Sequence, residues 1–182
     1  MSQDRDPLED ALFAAWAEAR GLAEPPPAGA RARLLDALAG VQRFRPLMEA
    51  LARLTDLGSD ALFAVLRRIE DAASWIEGAP GISYFHFTPG PGAPSPAAGL
   101  VRLRPGAVFP RHRHLGPEVS FVLDGVLIDD AGLGHGPGAV IESAAGSEHA
   151  YAAGAGRDLL LVSLHAGIAF ADPAAFRLVP PG

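Results

Sequence analysis

Hydrophobic positions change their spacing once along the chain, near residue 78. Before that point apolar residues recur every three or four positions, as on one face of an amphipathic helix. Four such stretches are separated by glycine or proline, and their apolar positions are, in order, Leu8, Leu12, Ala15 and Trp16; Leu34, Leu35 and Leu38; Leu47, Leu51 and Leu54; Leu62, Val65, Leu66 and Ile69. Asp6-Pro7 is expected to begin the first helix and Ser59-Asp60 to cap the fourth. Such short helices must pack on each other or on a partner.

Beyond residue 80, short runs rich in Val, Leu, Ile and Phe replace the helical pattern. The clearest runs are 82–87, 99–103, 119–123 and 159–164, with glycine and proline between them. Many short strands at close spacing are typical of a β-sandwich or barrel. We therefore predict an α+β chain, in which a helical region at residues 1–78 precedes an antiparallel β-barrel or jelly roll at residues 79–182.

Composition narrows the possible chemistry. The 182 residues are 49% hydrophobic and 20% charged, which is enough apolar surface for a core. The net charge of −6 argues against direct nucleic-acid binding, because such proteins need a basic surface to neutralise phosphates. Cysteine is absent, which excludes disulfides, thiolate metal sites and cysteine nucleophiles.

The first residues, MSQDRDPLEDALFAAW, are acidic where a signal peptide would be basic. Glu18 and Arg20 interrupt the apolar residues well before the roughly 20 positions that a membrane span needs. The expectation is a cytoplasmic protein with no membrane partner.

Histidine and glutamate are spaced along one segment in a way that suits a metal ion. His112 and His114 are two positions apart, so on a strand both rings project from the same face. Glu118 begins the next apolar strand, and His149 follows a further strand and turn. Three imidazoles and one carboxylate are suitable ligands for a divalent metal ion.

This pattern resembles the two motifs of the cupin superfamily, G-x5-H-x-H-x3-E-x6-G and G-x5-P-x-G-x2-H-x3-N. The matching residues are Gly106, His112, His114, Glu118 and Gly125 in the first motif and Gly138, Gly146 and His149 in the second. Ala144 and Ala153 replace the proline and the asparagine of the second motif, and neither departure removes a ligand. The resemblance implies that His112, His114, Glu118 and His149 bind one divalent metal. Zinc is expected first, with iron, manganese or nickel as alternatives.

Segment 109–118, with segment 144–149 downstream, is similar to the cupin-like domain of ChrR-type anti-sigma factors, and the similarity extends over about residues 30–170. It implies that the N-terminal helices bind an extracytoplasmic-function sigma factor and that the cupin domain responds to oxidants. The family's helical domain holds zinc through histidine and cysteine. This chain has no cysteine and its first histidine is His86, so residues 1–78 cannot assemble that zinc site.

Three functions remain open at this point. One is a regulatory protein that senses through the cupin and signals through the helices. The second is a metal-dependent cupin dioxygenase that acts on a small molecule, because cupins host many activities. The third is a binding barrel that holds a structural zinc ion without turnover. A homodimer, formed through the helical stripes, is an alternative to a sigma factor as the partner of the helices.

Other polar residues near the predicted ligands have secondary roles in this interpretation. Glu148 precedes His149 and either orients that ring from a second shell or faces solvent. Arg111 and Arg113 alternate with the histidines and are expected to pair with local carboxylates. The remaining histidines, His86, His135 and His165, are expected at the surface or in the core without a functional role.

Overall fold

The computed structural model describes residues 40–179. The first two predicted helices lie outside these residues. A 3₁₀ helix at Gly40–Leu47 leads into helix α1 (Met48–Thr55), and helix α2 (Ser59–Arg67) follows. These two α-helices confirm the third and fourth predicted stretches. The cap of α2 differs from the prediction: Gly58 is the N-cap residue, and no side chain caps the helix.

Eleven short strands follow in the described part of the chain. They are β1 (Ile76–Ala79), β2 (Ile82–Phe87), β3 (Ala97–Leu103), β4 (Val108–His114), β5 (Glu118–Asp124), β6 (Leu127–Ile128), β7 (Gly134–His135), β8 (Val140–Ser143), β9 (Glu148–Ala153), β10 (Leu159–His165) and β11 (Ile168–Phe170). Six form one sheet in the order β1-β2-β3-β10-β5-β8, and five form a second in the order β11-β4-β9-β6-β7. Neighbouring strands pair antiparallel.

The two sheets pack face to face as a jelly-roll sandwich and do not close into a barrel. Their shared interior is apolar at one end, where Val101, Leu161 and Val122 of the six-stranded sheet lie in one cluster with Phe109 and Tyr151 of the five-stranded sheet. The predicted fold class, an α+β chain with an antiparallel jelly roll, is confirmed. Successive side chains along a strand point to opposite faces of the sheet, so the neighbours of these core residues point to the outer face of the six-stranded sheet.

That outer face is also buried, beneath the helices. Leu51 of α1 and Leu62 and Leu66 of α2 form one core with outward side chains of the six-stranded sheet. The strand residues of this core are Phe85, Ala98, Leu100, Phe121, Leu123, Leu160, Val162 and Leu164. Because it is covered on both faces, β10 has six consecutive buried residues, which is why its sequence is a continuous apolar run without alternation.

The core that α1 and α2 share with the six-stranded sheet indicates where the folding unit of the strands begins. Sequence composition places the boundary near residue 78, yet the side chains of α1 and α2 fill the outer face of the sheet. Residues from Gly40 onward also form one compact unit. We propose that the folding unit of the strands begins at or before Gly40. Between residues 40 and 179 no helix is long and apolar enough to cross a bilayer.

Substitution of Leu51 tests this arrangement. Leu51 is fully buried between α1 and the sheet, so we expect Leu51→Ala to lower the free energy of unfolding by about 2–4 kcal/mol. Amide protons of α1 and of β10 should lose protection from hydrogen exchange together. Leu133→Ala, at a position 62% exposed, is the control and should change stability by less than about 0.5 kcal/mol. Loss of protection in α1 alone would show that the helices and strands unfold separately.

Candidate metal centre

Strands β4 and β9 bring three imidazoles together inside the sandwich. His112 pairs directly with His149 across the two strands, and His114 follows His112 on the same face. Nε2 of His149 lies 3.1 Å from Nε2 of His112 and 3.2 Å from Nε2 of His114. The candidate ligand atoms of the three residues all lie within 4.8 Å of one another, a geometry that could hold a metal ion.

A backbone contact determines which nitrogen of His112 carries the proton and which has a free lone pair for the cluster. Its Nδ1 lies 2.9 Å from the carbonyl oxygen of Pro110. A carbonyl oxygen only accepts, so Nδ1 carries the proton and Nε2 of the neutral ring keeps its lone pair. Metal-binding histidines are typically oriented by such a hydrogen bond at the second nitrogen.

The donor set fits a divalent metal. Nitrogen lone pairs that converge on one point cannot all be satisfied by hydrogen bonds between the three rings, whereas one cation can accept all of them. His112 and His114 are almost completely buried, with 3% and 1% of their surface exposed, so water has little access to these two rings. The described residues therefore contain a three-histidine site suited to a divalent ion.

Burial favours the neutral form of His112 and His149, which is the form that metal binding requires. Loss of hydration, followed by the nearby His149 ring, lowers the pKa of His112 from 6.5 to about 4, although the hydrogen bond to Pro110 opposes the shift. The pKa of His149 is also lowered, first by burial and then by the charge of His114. Both rings are thus neutral at neutral pH before any ion binds.

Glu118 lies beside the cluster and not among its converging nitrogens. Its Oε1 accepts a hydrogen bond of 2.9 Å from the hydroxyl of Ser120, and its Oε2 lies 3.5 Å from Nδ1 of His114. Burial alone would raise the pKa of Glu118, but the contact with His114 and the hydroxyl of Ser120 together lower it. The carboxylate is therefore ionised, buried and in contact with one of the three imidazoles.

The flanking residues that the sequence singled out are on the outside of the five-stranded sheet. Arg111 is paired with Asp130, at 2.9 Å between Nη2 and Oδ2, as expected for a local carboxylate partner. Glu148 is exposed, and because it precedes His149 on the same strand it belongs to the opposite face. Arg113 is also exposed and lies opposite Glu148 in the β4–β9 register.

Two histidines to which the sequence assigned no role belong to the site. His86 on β2 and His165 on β10 line a cavity of about 50 Å³ together with His112, Glu118 and Ser163. His165 lies opposite Glu118 in the β10–β5 register, and burial lowers the pKa of its ring. The proximity of His165 and Glu118 follows only from the strand pairing, since these two residues are far apart in sequence. His135 instead contacts Asp129 in the β6–β7 turn, at 2.8 Å.

Comparison with known proteins identifies the family. A model of the ChrR cupin-like domain matches residues 66–168, more than half of the chain. The chain belongs to this family. The chain itself contains no cysteine.

Solved structures with the same fold include the complex of Rhodobacter sphaeroides SigE with the anti-sigma ChrR. That match has 23% identity, covers 86% of this chain and 77% of that chain, and has a TM-score of 0.51. An RmlC-like cupin protein from Ralstonia eutropha matches with 20% identity over 58% of this chain and 71% of that chain, at a TM-score of 0.45. An acetylacetone dioxygenase from Acinetobacter johnsonii matches with 15% identity over 58% and 76%, at 0.46. No curated protein matches the chain.

Histidine substitutions test the cluster as a metal site. His112→Ala and His149→Ala each remove a converging nitrogen, so we expect each to weaken divalent-metal binding at least about tenfold. Affinity is measured by competition with a chromogenic chelator, and metal content by elemental analysis. His135→Ala is the matched control outside the cluster and should bind as the unchanged protein does. Full metal content in the His112→Ala/His149→Ala double variant would rule out the site.

The lowered pKa of His112 predicts acid sensitivity in the chelator-treated protein. As the pH falls from about 6.5 toward 4, the unfolded chain binds a proton at this ring that the folded chain does not. The free energy of unfolding should therefore decrease over this range, as measured by urea denaturation with chelator present. His112→Gln should show a smaller decrease, while His135→Gln should follow the unchanged protein. A stability that stays constant to pH 4.5 would contradict the burial of neutral imidazoles.

Proposed function

We propose that this protein is a metal-dependent regulatory protein, in which the cupin domain senses a chemical signal and controls an extracytoplasmic-function sigma factor. The observation that carries the proposal is the three-histidine cluster inside a ChrR cupin-like domain. The fold it shares with ChrR, which was crystallised as an anti-sigma in complex with SigE, adds support for a sigma factor as the partner.

In this proposal the ion is zinc, held by His112, His114 and His149 with Glu118 as the fourth ligand. Neutral imidazoles and one carboxylate are usual zinc ligands. An ionised carboxylate buried next to His114 needs a positive partner, which supports a role for Glu118 at the ion. Such an ion, when bound, would acidify a water molecule and attract anionic or polarisable ligands.

The proposed response to oxidants must act at the metal centre. Thiol oxidation is excluded because the chain has no cysteine. The cavity that His86, His112 and His165 line gives a small oxidant a place beside the imidazoles. Any signal received there reaches the helices through the six-stranded sheet, whose outer face carries α1 and α2.

We assign the sigma-factor contact to the sequence before Gly40. Leu51 and Leu66 of the predicted helical stripes are buried against the protein's own sheet. The apolar positions Leu12, Trp16, Leu34 and Leu38 of the first two predicted helices lie outside the described residues. Since α1 and α2 already use their apolar faces, the leucines of residues 1–39 carry the contact in this proposal.

Capture of a sigma factor by the full chain tests the function. We expect a tagged protein to retain an extracytoplasmic-function sigma factor from the same organism and to release it on treatment with an organic hydroperoxide. The His112→Ala/His149→Ala double variant should capture the partner but fail to release it. Leu34→Glu/Leu38→Glu should abolish capture, whereas Leu133→Glu, at an exposed position outside both regions, should not.

The alternative is a metal-dependent dioxygenase, and the cavity beside the three histidines is the observation that favours it. Under this alternative the iron-loaded chain consumes oxygen with a small diketone and captures no sigma factor. Oxygen consumption without capture of a sigma factor would contradict the regulatory function and support the dioxygenase. Capture that survives Leu34→Glu/Leu38→Glu would instead contradict only the assignment of the contact to residues 1–39.

A further inference from the structure

A gap in the inner face of the six-stranded sheet lies at Gly99. This residue pairs with His86 on one side and with Ser163 on the other, so the two polar side chains flank a position that has no side chain. A Cβ atom added at Gly99 would lie 3.4 Å from the carbonyl oxygen of Phe85 and 3.8 Å from Nδ1 of His86, which are ordinary contacts. The backbone therefore does not demand glycine here. Because Gly99 has no side chain, it leaves space in the cavity that a larger residue would fill.

The two imidazoles that line the cavity away from the metal cluster carry complementary hydrogen-bonding atoms. Nε2 of His86 lies 2.9 Å from the carbonyl oxygen of Val179, so it carries the proton and Nδ1 has the lone pair. Within residues 40–179 that buried Nδ1 has no hydrogen-bond partner. Nδ1 of His165 accepts from the backbone N–H of Gly167 at 3.1 Å, so the proton of the neutral ring is on Nε2. His86 thus offers an acceptor and His165 a donor among the residues that line the cavity, and Ser163, two residues before His165 on β10, adds a hydroxyl.

Another part of the cavity wall is apolar. Phe109 and Ile168 come from the five-stranded sheet, and Phe176 and Leu178 come from the segment that follows β11. Tyr84 holds that segment in place, because its hydroxyl donates to the carbonyl oxygen of Arg177 at 3.0 Å and accepts from the N–H of Val179 at 2.7 Å. A molecule in the cavity would have a polar end toward the histidines and a hydrocarbon end toward these side chains.

Charge and size restrict the occupant further. Glu118 is the carboxylate that lines the cavity, and none of the lining side chains is a lysine or arginine, so the protein's own groups on this wall favour a neutral molecule over an anion. A volume of about 50 Å³ holds only a few heavy atoms. A hydroxyl group is the simplest group that donates to one nitrogen and accepts from another.

We propose that this cavity binds a small neutral molecule with a hydroxyl group, a short-chain alcohol in its simplest form, between His86, Ser163 and His165. Its hydrocarbon part packs on Phe109 and Phe176. The inference rests on the proposed function in one respect, namely that it names the ligand class of the same centre.

The test compares 1-propanol with ethyl methyl ether, which has the same heavy-atom count but no hydroxyl proton. Binding to the full chain is titrated by NMR, with the side-chain signals of the histidines as the readout. We expect 1-propanol to bind at least about tenfold more tightly than the ether, because the ether leaves Nδ1 of His86 without a donor. The signals of His86 and His165 should shift with 1-propanol.

Substitutions at Gly99 provide the second arm. Gly99→Ala should weaken 1-propanol binding and Gly99→Val should abolish it, since each fills space in the cavity. Either residue suits a strand better than glycine, so the fold should persist. Gly136→Ala, at a position where an added Cβ meets nothing within 4 Å, is the matched control and should bind 1-propanol normally. Equal binding of the ether, or full binding by folded Gly99→Val, would overturn the inference.

Metal content measured on the same samples separates the two proposals. If the unchanged protein retains metal but shows no preference for 1-propanol, the ligand class is wrong and the metal centre stands. If it selects 1-propanol but never binds a divalent ion, the metal-dependent function is wrong and the cavity site stands.

Discussion

The six-stranded sheet is covered on both faces of its central strands, and the remaining structure depends on this constraint. Its outer face is covered by α1 and α2, and its inner face by the five-stranded sheet. Strand β10 is in the middle and contributes to both cores, with Leu160 and Val162 directed outward and Leu159 and Leu161 inward. A strand enclosed in this way has no solvent-exposed side on which to place polar residues. A polar residue in it is therefore removed from bulk water, and any unpaired polar atom there is costly.

The inner face of this sheet changes from apolar to polar along the strands. At one end Leu103, Leu161 and Val122 pack in the apolar core. Toward the other end the strands of this sheet carry polar side chains, which are His86, Ser163, His165, Glu118 and Ser120. The five-stranded sheet changes in the same direction, from Phe109 and Tyr151 to the paired His112 and His149. The polar ends of both sheets thus meet in one buried region, where loss of hydration lowers the pKa of His112, His149 and His165.

The chain's local sequence predicts the part of this site that depends on strand periodicity. Two histidines separated by one residue share a face in any strand, so the shared orientation of His112 and His114 can be predicted without knowing the fold. His149 could be added only through a motif, because its approach depends on the β4–β9 register. Gly99, His86 and His165 carry no local signal at all, since their neighbourhood arises from pairing between strands distant in sequence. The same long-range packing explains the helices: periodicity identified α1 and α2, but not the sheet face that they cover.

The shared strands also connect the site physically with the helices. In β10, Ser163 and His165 face the cavity while Val162 and Leu164, their immediate neighbours, lie in the core beneath α1 and α2. In β5, Glu118 lies beside His114 while Phe121 belongs to the helical core. Close-packed interiors adjust in discrete steps and not continuously, so a displacement of either strand at the site must be accommodated by the helices one layer away. A centre built on these strands can therefore affect the helical layer without a direct contact between the two.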